Sequence, residues 1–383
     1  MKKVVQYTAC ALAGLMLVLG ATGCTDQAYN SYDRTGEPYD YYLPDYVNVC
    51  DYKGIKVPNI SYTPSEKDIE NQRILELAVY SPFTKDVERG CMEGDRVVIS
   101  TTCYVNDEVY EYLTFETNSQ GEGHSFILGT NEFDIPQLEE AITGMKKGED
   151  KEITFTFPDP YYRDILKSGK EATIEVHIDR VDEIDRLEDT EEFYEERLGT
   201  TREAREIEIR SNLQKRYDQY LQSYKITLTW QYLLDNSKLL EVPEKEYDEK
   251  YETMLDSYRS MAEDASVSLE EYVKDTLGYA DIDAFYDFLE ETTEQECYGD
   301  MILYYIARCE DLNFDDAYYE SALLSYGEQY ELTDAADVED FLAYYNQLTD
   351  FQETTRYRYV QEWVADQAEV LEDVTTINSS KLK

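Results

Sequence analysis

Three stretches decide how this chain folds: GDRVVIS at 94–100, KEITFTF at 151–157 and GKEATIEVHIDRV at 169–181. In each, apolar residues occupy alternate positions: Val97 and Ile99, then Ile153, Phe155 and Phe157, then Ile174, Val176 and Ile178. A period of two turns one strand face to a core and the other to water, so these are half-buried strands of an antiparallel sheet. Between them, PQLEEAITGMKKGE at 136–149 sets Leu138, Ala141 and Ile142 on one face of a short helix that ends at Gly144. Strands around one short helix make a small α+β module.

Outward from this module the period becomes helical. Upstream, DYKGIKVPNISYTPSEKD reads as an extended piece and then a helix start, with Thr63 as N-cap, Pro64 at the first helical position and Glu66 closing a capping box. Ile69, Ile74, Leu75, Leu77 and Ala78 carry that helix to about Tyr80. Downstream, from about Asp182 to Glu372, the pattern is helical almost throughout. Ile209, Leu213, Tyr217, Leu221, Tyr224 and Leu228 form one stripe at spacings of three and four. Breaks at LGTT, LEVPEKE, EDASVSLEE, LGYAD, LNFDD and YELTDAAD divide the region into several antiparallel helices.

The amino terminus reads as an address. Lys2 and Lys3 precede the uncharged run ACALAGLMLVLGATG, which is shorter than the roughly 20 apolar residues of a spanning helix and fits an export leader. Ala21, Thr22 and Gly23 before Cys24 resemble the lipobox of bacterial lipoproteins, which implies a lipid on the Cys24 thiol; Ala21 stands where Leu is usual, and an ordinary signal peptide is the alternative. The polar tract that follows, TDQAYNSYDRTGEPYDYYLPDY, lacks a core pattern and reads as a tether.

The 383 residues carry 35 Lys and Arg against 83 Asp and Glu, a formal charge of -48. A field of that sign repels phosphate backbones, so nucleic acid is excluded as a partner. Beyond Cys10 and Cys24, the cysteines are Cys50, Cys91, Cys103, Cys297 and Cys309, an odd number at spacings that match no zinc or CxxC pattern. With only His124 and His177 besides, no metal and no other cofactor is expected. Acidic runs such as EDTEEFYEE lack the order of a calcium loop and read as solvated faces.

In order and spacing, GDRVVIS, FILG, IP, LEEAITGMKKGE, FTFPDPYY and GKEATIEVHIDRV resemble a trigger-factor isomerase domain of FKBP type. The resemblance continues through EEFYEERLGTTREAREIEIRSNLQKR, LLEVPEKEYDEKYE and YIARCEDLNFDDAYYE, which are similar to that family's helical chaperone domain, and backward through DYKGIKVPNISYTPSEKDIE. It implies an α+β chain in which a small antiparallel FKBP-like sheet domain, residues 94–182, is inserted in a discontinuous helical chaperone domain, 50–93 and 183–375. Residues 1–23 are then a lipoprotein signal peptide, 24–49 the tether and 376–383 a tail. The family's ribosome-docking domain has no counterpart, so no ribosome partner is expected.

The activity implied is peptidyl-prolyl cis-trans isomerisation. It requires no nucleophile or metal, because an apolar pocket that desolvates the imide favours the twisted amide. By the same resemblance Tyr110, Phe126, Ile135, Leu138, Tyr161 and Ile174 fall at pocket positions, Glu111 falls near an acidic one, and Tyr161 would point its hydroxyl at a substrate carbonyl. Leu138 stands where the family has an aromatic floor, Ile174 where it has Phe, and Thr101 where it has an aromatic on the first strand. The gap between Gly129 and Pro136 is one residue longer than usual.

The function expected is therefore that of a folding chaperone and isomerase on the extracytoplasmic face of a cell membrane. A lipid on Cys24 would hold it there, with unfolded or newly exported polypeptides as partners. The alternatives are a holdase whose head is inactive and a structural surface lipoprotein. The 37 tyrosines fit mostly as Phe and Leu substitutes along helix stripes. Pairs such as Tyr304-Tyr305, Tyr318-Tyr319 and Tyr344-Tyr345 cannot both face one core, so some aromatic surface is expected to be exposed or shared with a client.

Overall fold

The computed structural model describes residues 38–118, 123–313, 316–345 and 347–377. Cys24, the leader and most of the tract after it lie outside these residues.

Helix α1, Glu66–Tyr80, starts two residues later than the sequence pattern predicts. Its N-cap is Ser65, whose hydroxyl accepts from the Asp68 N–H while the Asp68 carboxylate accepts from the Ser65 N–H at 2.7 Å. The Asp68 carboxylate also takes the Ser65 hydroxyl at 2.8 Å and the Tyr62 hydroxyl at 2.9 Å. Three donors on one carboxylate settle the start, and Pro64, with no N–H to cap, lies outside.

The sheet module is built on β1, Arg96–Val105, which pairs antiparallel with β2, His124–Ile127. Helix α2, Pro136–Ile142, follows, and then β3, Asp150–Thr156, pairs antiparallel with β4, Glu171–Ile184. β4 lies between β3 and β1, with Ile153 and Cys103 both opposite Ile174. Alternation places Ile174, Val176 and Ile178 in the core while Glu175 stays exposed between them. Each such side chain removed from water contributes about 1.5–3 kcal/mol. Gly144, at φ +89°, ends the α2 segment where the sequence places the stop.

Helix α3, Arg202–Asn236, is the longest element. Its stripe is buried at Ile209, Leu213, Tyr217 and Tyr224, as its spacing predicts. Further helices span Glu244–Asp264, Ile282–Glu310, Asp316–Gly327, Ala335–Tyr344 and Leu348–Asp366. The architecture is α+β, with a small antiparallel sheet in a mainly helical chain.

Two compact units result: 38–55 with 229–368, and 56–228 with 369–377. This partition differs from a cut at 94 and 182, because the sheet module shares its unit with α1 and the first part of α3. Within that unit Ile69 packs with Ile209 and Leu213, and Asn71 donates to the Thr130 carbonyl at 2.9 Å.

The described part of the expected tether is a correction. Tyr39, Leu43 and Val47 are buried at 2%, 0% and 0% exposure in the core formed with Leu233, Ile302, Ile306 and Val360. Arg308, itself buried, donates to the carbonyls of Tyr39 and Pro38, each at 2.8 Å, and the Tyr39 hydroxyl donates to Asp300 at 2.9 Å. Tyrosines that read as polar filler supply apolar faces, and the charged partners that receive their tips are more than 200 residues away. Residues 38–49 are a strap on the helical unit.

Candidate functional site

The sheet, α2 and the loops between them bring all six expected pocket residues into one cluster. Ile135, Leu138 and Ile174 are essentially unexposed, Tyr161 and Phe126 nearly so, and Tyr110 is 9% exposed. Tyr110 and Tyr161 flank Phe157, with ring centroids 5.7 Å and 4.8 Å from it.

The two phenols differ. The Tyr161 hydroxyl donates to the Phe133 carbonyl at 3.3 Å. That of Tyr110 is buried, with the Asp164 carboxylate nearby but no acceptor in good hydrogen-bonding geometry, and the Lys167 ammonium lies 5.1 Å from its ring centre. Burial, and for Tyr110 the nearby Asp164 carboxylate, pushes both phenols above their ordinary range, so both remain proton donors at neutral pH. A neutral donor in an apolar wall can hold an amide carbonyl without contributing charge, which suits a reaction that weakens amide resonance.

Leu138 and Ile174 are packed against the module's interior, and Leu138 N–H donates to the Ile135 carbonyl at 3.0 Å. Thr101, expected only as a lost aromatic, has its hydroxyl on the Leu113 carbonyl at 2.6 Å, and its backbone pairs with Phe115. It fixes the loop that carries Tyr110. Glu111 is exposed at the start of a short turn of helix. A cavity of about 690 Å³ opens over Ser100, Thr102, Phe115, Glu175 and His177, and none of the six expected residues lines it.

Sequence reasoning missed three participants. Phe133 is 3% exposed, with its ring 5.0 Å from Phe126 and 5.5 Å from His124. Glu139 is buried and accepts the N–H groups of Gly129 at 2.7 Å and Glu132 at 2.6 Å. Arg163 donates to Asp134 at 2.7 Å. Phe133 breaks no period in NEFDIP, so its only signal is the extra residue in that gap. Arg163 and Glu139 look like surface charges because their partners are backbone groups or distant in sequence.

The module thus encloses an apolar cluster walled by aromatic rings. The family profile described as FKBP-type peptidyl-prolyl cis-trans isomerase matches residues 88–179, and the full chain extends that likeness. It is 27% identical over 326 residues to the trigger factor of Natranaerobius thermophilus, covering 85% of this chain and 70% of that one. To the trigger factor of Staphylococcus saprophyticus it is 23% identical over 330 residues, covering 85% and 72%. To that of a Marinomonas species it is 31% identical over 180 residues, covering 46% and 38%. A solved structure of the trigger factor chaperone, described for promiscuous substrate recognition in folding and assembly, covers 84% of this chain and 71% of its own at 14% identity and a TM-score of 0.35. The chain is a trigger factor-like protein with an FKBP-type domain.

Proposed function

We propose that this protein is an extracytoplasmic folding chaperone, held to the membrane by a lipid on Cys24, whose head at 94–182 isomerises Xaa-Pro bonds in unfolded, newly exported polypeptides. The helical remainder, 50–93 and 183–375, holds the client. The address rests on the basic start, the apolar run and ATGC. The chaperone reading rests on the similarity to trigger factors along most of the chain.

The observation that carries the isomerase reading is the pair Tyr110 and Tyr161 around Phe157, inside the segment that matches the FKBP-type profile. Its test is a protease-coupled assay of a proline tetrapeptide with soluble protein from Thr25 onward. Acceleration of the slow cis phase is expected. Its absence in folded protein would favour a holdase with an inactive head, a second reading that the aliphatic Leu138 and the engaged Tyr161 hydroxyl support.

A further inference from the structure

The longer gap before Pro136 has a built conformation. Asn131 and Asp134 hold φ of +57° and +55°, a region that Asn and Asp enter at less cost than other side chains. The loop is gripped from two sides. From α2, the Glu139 carboxylate takes the N–H groups of Gly129 and Glu132 at 2.7 and 2.6 Å. From the segment after β3, the Arg163 guanidinium pairs with Asp134 at 2.7 Å and donates to the Glu132 carbonyl.

Between these grips lies Phe133. Its ring sits 5.0 Å from Phe126 and 6.0 Å from Phe115, and its carbonyl receives the Tyr161 hydroxyl. A bound Xaa-Pro segment would ask the same of this site: an apolar ring against aromatic walls and a carbonyl on a phenol. The contact is also weak. At 3.3 Å it is longer than the 2.5–3.0 Å usual for O–H···O, so an incoming carbonyl can replace it at little cost.

We propose that the loop at 130–134 is an internal stand-in for substrate, so that a proline segment enters by displacing Phe133 from Tyr161. This rests on the isomerase reading of the head. It assigns Phe133 as the residue that sets the threshold for entry and Arg163 and Glu139 as positioning residues that hold it.

The test uses full-length protein, a proline tetrapeptide with a Leu-Pro bond, and the variants Phe133→Ala and Arg163→Gln. Peptide affinity is followed by tyrosine fluorescence, turnover by kcat/KM, and folding by thermal unfolding. Each folded variant should bind and turn over the peptide roughly threefold to tenfold better than wild type, the scale of one competing neutral hydrogen bond. A third measurement needs no variant: saturating peptide should speed amide exchange at Phe133 and Asp134 in the wild type. Turnover that neither variant changes, with exchange unaltered by peptide, overturns the stand-in and leaves the isomerase reading intact. Absence of peptide binding in the wild type and in every folded variant overturns both.

Discussion

The Thr101 hydroxyl donates to the carbonyl of Leu113 across 2.6 Å, joining the middle of β1 to the loop that carries Tyr110. Tyr110 and Leu113 both belong to the buried cluster, so the bond links sheet register to site geometry. Thr101→Val keeps the shape and orphans the Leu113 carbonyl, a loss of about 1–3 kcal/mol. A urea midpoint equal to wild type would show that water or another donor satisfies this carbonyl.

Tyr110 separates activity from stability. Its buried hydroxyl makes no well-formed hydrogen bond and has only the Asp164 carboxylate nearby, so Tyr110→Phe should change stability by no more than about 1 kcal/mol. If the hydroxyl serves a bound amide, the same change slows peptide isomerisation about fivefold. Loss of stability with unchanged turnover would assign Tyr110 to packing alone.

The strap predicts a result that a tether does not. Arg308→Met removes two charge-assisted bonds, to the carbonyls of Pro38 and Tyr39, worth about 2–4 kcal/mol together. Limited proteolysis should then cut within 38–49 before any other segment. Resistance equal to wild type would contradict the assignment.

Much of the architecture was legible from period alone. Ile153, Phe155, Ile174, Val176 and Ile178 lie on the buried face that alternation predicts, and the LGTT, LGYAD and YELTDAAD breaks each contain a boundary between helices. What escaped has a common cause. Tyr39, Glu139 and Arg163 act through partners on other elements or on backbone, and a linear pattern carries no trace of such pairing. Thr-Pro is a strong local signal for a cap at Thr63, yet Ser65 wins through the bonds that gather on Asp68. The six expected residues share one buried cluster, but Phe133, whose carbonyl takes the Tyr161 hydroxyl, lies in a gap legible only as one residue too long.

Glu139 sets a pH dependence. Burial raises its carboxyl above the ordinary range, against the backbone N–H groups that lower it. The folded head therefore binds this proton more tightly than the unfolded chain. Ionisation costs stability from about pH 4.3 upward, and the cost is complete above the folded value. Glu139→Gln loses one N–H partner but cannot titrate, so the advantage of wild type over the variant should shrink as pH rises from about 4 to 7. A constant difference across that range would show that Glu139 does not titrate differently on folding.

The proposed address has its own test. Cys24→Ala should release the chain from membranes or leave it unprocessed, and mass spectrometry of the wild type should find a lipidated Cys24. An unmodified amino terminus produced by cleavage elsewhere would rule the anchor out.

The most direct measurement of the chaperone claim is light scattering by a denatured client diluted into soluble protein from Thr25 onward, without ATP, with and without residues 94–182. Suppression of aggregation at near-stoichiometric ratios, largely kept when the head is deleted, is the predicted result. Aggregation unaffected by the intact protein would contradict the account, and suppression lost with the head alone would contradict its division between holding and isomerising.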